Sequence, residues 1–79
     1  MSVNGNGHDA PRILRAHDLV SGEALLLVYF PKAGAITING YSVTQIPGLT
    51  GRAGQSIFHQ APGDREYIVA TDLVAKLYT

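Results

Sequence analysis

The sequence predicts a small all-β domain: five or six antiparallel strands in a barrel or sandwich of SH3-, Sm- or OB-like size. Three observations predict it. Short apolar segments recur along the 79 residues, separated by turn signals such as Ser21-Gly22, Asn39-Gly40 and Pro62-Gly63. The longest uninterrupted apolar run spans only Ala24 to Phe30, strand length rather than helix length. Asn39-Gly40 lies between two alternating segments, the strongest short-range hairpin cue.

The elements follow in order. Residues 1–10 contain Asn4-Gly5-Asn6-Gly7 and little that can be buried. They read as a flexible tail ahead of a single domain over 11–79. Arg12 to Val20 reads as a strand, with Leu14, Ala16, Asp18 and Val20 on one face and Ile13, Arg15, His17 and Leu19 on the other. A helix with Pro11 at its first position and Gly22 near its C-cap is the competing reading. Val20-Ser21-Gly22-Glu23 favours the strand, because it makes a hairpin connection in which Gly22 supplies a positive φ.

The next strand is Ala24 to Phe30, ended by Pro31, which cannot donate to a sheet ladder. Lys32-Ala33-Gly34 turns the chain. Around Asn39-Gly40, a two-residue type I′ loop sets Ile38 opposite Tyr41 and Ile36 opposite Val43. Those four residues then share one face, and Ala35, Thr37, Ser42 and Thr44 share the other. Turn geometry and hydrophobic pattern imply the same register.

Pro47 to Gln55 is a long glycine-rich loop, Ser56 to Gln60 a short strand, and Ala61-Pro62-Gly63-Asp64 a turn. Glu66 to Ala70 reads as a strand. A tight turn near Thr71–Leu73 and a last strand over Val74 to Tyr78 are expected after it. A short C-terminal helix capped at Thr71-Asp72 is the alternative.

Composition narrows the function classes. Six basic and six acidic residues give zero formal net charge, without the basic surplus that phosphate neutralisation favours. The absence of cysteine removes disulfide staples and cysteine zinc sites. The polar, Gly/Asn-rich start lacks the basic and apolar regions of a signal peptide, and no apolar run approaches the ~20 residues of a membrane span. These features point to a soluble, cytoplasmic protein with no membrane partner.

One strand has too much to bury. Leu25, Leu27 and Tyr29 face one way; Leu26, Val28 and Phe30 face the other. A domain this small has one core, so the second face needs another cover. Self-association through Leu26, Val28 and Phe30 is the favoured cover, with a C-terminal helix or a different partner protein as alternatives. The missing staple points the same way, because oligomerisation is a common stabiliser of very small domains.

Candidate chemistry is sparse. His17 and Asp18 would point to opposite faces of a strand. His59 and Asp64 flank a turn across which they could meet, and a histidine beside a carboxylate can act as a general base. His8, His17 and His59 lie in separate segments without metal-ligand spacing, so neither a metal nor a cofactor is expected. Gly48-Leu49-Thr50-Gly51-Arg52-Ala53-Gly54-Gln55-Ser56 resembles a phosphate loop in glycine content alone and lacks its Lys-Ser/Thr pair. Gly51-Arg52-Ala53-Gly54 has the Gly-x-x-Gly form that KH domains use on nucleic-acid backbones, without the flanking helices.

The expected function is therefore a non-enzymatic binding or assembly module, acting through protein–protein contacts as a homo-oligomer. The first alternative is a nucleic-acid-binding barrel using Arg52 between Gly51 and Gly54, with Arg12 and Arg15. The second is a small enzyme with an intersubunit site based on His17 or His59.

Overall fold

A computed structural model describes residues 10–45, 54–60 and 63–79. Its chain order is β1 (Arg12–His17), β2 (Ala24–Phe30), β3 (Ala35–Ile38), β4 (Tyr41–Gln45), β5 (Gln55–Gln60), β6 (Glu66–Ala70) and α1 (Thr71–Leu77). The six strands form one sheet in sequence order, every neighbouring pair antiparallel. This meander curls into a half-barrel, and α1 packs against β1, β6 and β5.

The expected hairpins form. Around Asn39-Gly40, Ile38 pairs with Tyr41 and Ile36 with Val43. Asn39 and Gly40 have φ of 51° and 86°, the positive pair that a type I′ turn demands. The β1–β2 pairing runs from Arg12↔Tyr29 to His17↔Ala24, so the strand reading of this segment is correct. The strand stops at His17 rather than at Val20. The reason is Asp18, whose carboxylate accepts the backbone N–H groups of Val20 and Ser21 and turns the chain there. Gly22, at φ 78°, completes that turn.

At the C-terminus the expected last strand is corrected and the alternative, a short helix, is what forms. Residues 71–77 are helical, and no strand forms over Val74 to Tyr78. A strand would have put Val74, Lys76 and Tyr78 on one face, forcing a charge among apolar neighbours. The helix instead buries Val74 and Leu77, three residues apart, and leaves Lys76 in water. Asp72 in the first turn and Lys76 in the last both suit the helix dipole. The expected cap at Thr71-Asp72 is also corrected, since Ala70 is the N-cap and no side chain caps the helix. Thr71 is engaged elsewhere: its N–H donates to the Gly54 carbonyl and its hydroxyl meets Ser56 Oγ at 2.8 Å.

The core fills the concave side. Ala16, Leu25, Leu27, Ile36, Ile38, Phe58, Tyr67 and Val69 come from the strands, Val74 and Leu77 from the helix. Burial of each large side chain contributes roughly 1.5–3 kcal/mol. Tyr67 keeps its hydroxyl satisfied by donating to Gln60 Oε1 at 2.8 Å. Tyr29 extends the core toward the helix end, meeting Tyr78 edge-on with ring centroids 4.8 Å apart.

Candidate functional site

Strand alternation places the second face of β2 on the convex side. Leu25 and Leu27 are buried in the concavity, whereas Leu26 and Phe30 remain 38% exposed and Val28 half-buried. The helix packs on the other side of the sheet's closure, against β1, β6 and β5, and leaves these residues uncovered. Pairing adds neighbours to them. Ile13 of β1 lies directly across from Val28 and is 67% exposed. Arg15 lies across from Leu26, Thr37 across from Val28 on the other flank, and Ala35 across from Phe30. The result is an apolar convex patch of Ile13, Leu26, Val28 and Phe30 flanked by small residues and one arginine. Ile13 is the member that sequence reasoning left out, although its alternation with Leu14 already assigned it to the outer face.

The two arginines of the first alternative part company. Arg12 pairs opposite Tyr29 on the concave-side register, and Arg15 opposite Leu26 on the convex one. Both are exposed. Arg52 and Gly51 lie outside the described residues; Gly54 is exposed, with its carbonyl bonded to Thr71.

The histidines separate as well. His17 is exposed on the convex face opposite Ala24, while Asp18 is buried on the other side. His59 stands between Thr44 and Glu66 in one cross-strand row, and Asp64 is exposed in the following turn. Among the described residues, no three histidine, aspartate or glutamate side chains converge as a metal site.

Solvent-open hollows indent the surface formed by the described residues. One of about 330 Å³ is bordered by Arg15, His17, Leu26 and Asn39. Another of about 380 Å³ lies between Tyr78 and the β3–β4 hairpin. A third, of about 260 Å³, lies beside Asp18, Val20, Arg65 and Ile68.

Asp18 is the functional-looking group that the sequence concealed. It is 6% exposed. Burial alone would raise its pKa, but N–H bonds from Ser21, Val20 and Ile68, together with the charge of Arg65, outweigh burial and hold it below the ordinary carboxylate value. Arg65 in turn ion-pairs with Glu23 and lies over the Tyr67 ring, 4.6 Å from its centroid.

Among the described residues, no helix is long and apolar enough to cross a membrane. Compared with known proteins, the chain matches no family model, no curated protein and no solved structure.

Proposed function

We propose that this domain is an assembly module rather than an enzyme, associating with further copies of itself through the convex face of β1 and β2. The observation that supports this reading is the exposed patch of Ile13, Leu26 and Phe30 around Val28. The fold's own core and helix do not use these side chains, and leaving them in water forgoes hydrophobic stabilisation. A second copy is the occupant best matched to the patch. It is apolar at its centre, its flanks are the small Ala35 and Thr37, and the cation across from Leu26 is Arg15. Such a surface can meet itself across a two-fold axis without confronting large like-charged clusters. A domain of this size without disulfides also gains more from association than a larger one would.

Sedimentation velocity across the micromolar range tests the reading. The wild-type protein is expected to sediment as a dimer or larger species. A double Leu26→Ser, Phe30→Ser variant is expected to sediment as a monomer with an unchanged circular dichroism spectrum. Monomeric wild-type protein throughout the range, or an oligomer indifferent to both substitutions, rejects the proposal.

A further inference from the structure

The half-barrel has a seam, where the first strand of the meander approaches the last. Among the described residues the backbone is bonded across this seam at one place. The Leu19 N–H donates to the Ile68 carbonyl at 2.8 Å, and the Ile68 N–H donates to Asp18 Oδ2 at 3.2 Å. Both edge-facing backbone groups of Ile68 are thus satisfied by two consecutive residues from fifty positions earlier. Beyond Ala70 the chain turns helical, and α1 packs on both β1 and β6.

We propose that Asp18 is the latch of this seam: its carboxylate holds β1 to β6 with α1 seated between them, and neutralising it opens the seam locally while the central strands stay paired. The latch is independent of the convex patch, so this inference does not rest on the self-association reading. Its asymmetry explains the role. Oδ1 is held in the β1–β2 turn by Val20 and Ser21, at 2.8 and 2.9 Å, which leaves Oδ2 aimed at Ile68. The turn therefore presents the carboxylate, and the seam uses it.

The charged groups facing Asp18 are few. Arg65, from the turn before β6, favours the ionised form and is itself paired with Glu23 of the β1–β2 turn. Glu66, at the start of β6, borders the same hollow; no charged residue of α1 does. His17, although adjacent in sequence, lies on the convex face. Because the folded-state pKa is depressed, the stabilisation is fully present above the unfolded carboxylate pKa and is lost as pH falls through the lower, folded one. The opening window therefore lies below about pH 4.

Amide hydrogen exchange of the full chain, followed by NMR and corrected for intrinsic rates, tests the latch. On acidification, Ile68 and Leu19 are expected to lose protection roughly tenfold or more and to approach unprotected exchange, while Leu27 and Ile38 in mid-sheet lose no larger a factor and stay protected. Asp18→Asn is expected to show the same loss at neutral pH without a further acid step. Its amide places a donor against the Ile68 N–H once the oxygen serves the turn. Complete loss of protection at all four amides together overturns the proposal, as does an acid step at Ile68 and Leu19 that survives in Asp18→Asn. Should that variant fail to fold, the wild-type titration still decides. The Ile68 midpoint must coincide with that of the Asp18 carboxyl carbon, and a different midpoint overturns the latch.

Discussion

Two turns of this protein use the same device in opposite surroundings. Asn39 and Asp18 each follow a strand, and each sends its side chain to the backbone of another segment. Asn39 Oδ1 accepts the Leu26 N–H at 2.8 Å and its Nδ2 donates to the Ala24 carbonyl at 3.3 Å, extending the β2–β3 pairing past the end of β3. Asp18 does the equivalent for β6. Asn39 is neutral, exposed and bonded to its own neighbouring strand. Asp18 is charged, buried and bonded to the far end of the chain. One local motif thus continues a hairpin in one place and closes the sheet in the other. What decides is how much of the chain must already be folded before the partner arrives.

Breaking the Asp18 side of the comparison has the larger effect. Asp18→Ala is expected to lower the unfolding free energy by about 2–4 kcal/mol, because a half-buried N–H loses a charged acceptor and the turn loses its organiser. Urea denaturation measures it; a loss as small as that of the Asn39 variants would place Asp18 in the same class as an exposed turn residue.

Asn39→Ala comes next, at about 1–2 kcal/mol. It removes the bond to Leu26 and places a Cβ-bearing residue without a compensating side chain at φ 51°. Asn39→Gly separates those two contributions. It relieves the backbone and retains only the lost hydrogen bonds, so its denaturation midpoint is expected between those of wild type and Asn39→Ala.

The smallest effect is expected from Arg65→Gln, below about 1 kcal/mol and shrinking further in added salt, since the Arg65–Glu23 pair is solvent-exposed. Arg65 also favours ionised Asp18, so this variant is expected to move the acid unfolding midpoint slightly upward. An unchanged midpoint would show that the three N–H bonds alone keep Asp18 ionised.

Legibility followed the same division. The β3–β4 register could be read because Asn39-Gly40 and the alternation of Ile36, Ile38, Tyr41 and Val43 constrain it twice over. Burial was read less well at the rim: Tyr41 shares the inward register yet is 59% exposed, because the half-barrel is open there. The two-faced character of Leu25 to Phe30 was visible from composition alone. That α1 would leave the convex side bare was not, because a helix has no preference between faces until it has a sheet to pack on. Of the candidate cations, Arg12 and Arg15 looked like a pair in sequence and are separated by the pleat, three residues apart on a strand with a two-residue period.

The β2, β3 and β4 strands, the turn at Asn39-Gly40 and the side chains that share a face in them were legible in the sequence, because they follow from φ preferences and a fixed side-chain period acting over a few residues. The sequence left open whether residues 71–77 extend or coil, since Thr71 to Leu77 accommodates both patterns. The tertiary structure chose the helix: that conformation alone buries Val74 and Leu77 together while Lys76 stays in water. Only the tertiary structure made Asp18 important. A carboxylate after a strand is an ordinary turn residue until the far end of the chain brings it an amide to hold, and no local preference specifies a contact across fifty residues.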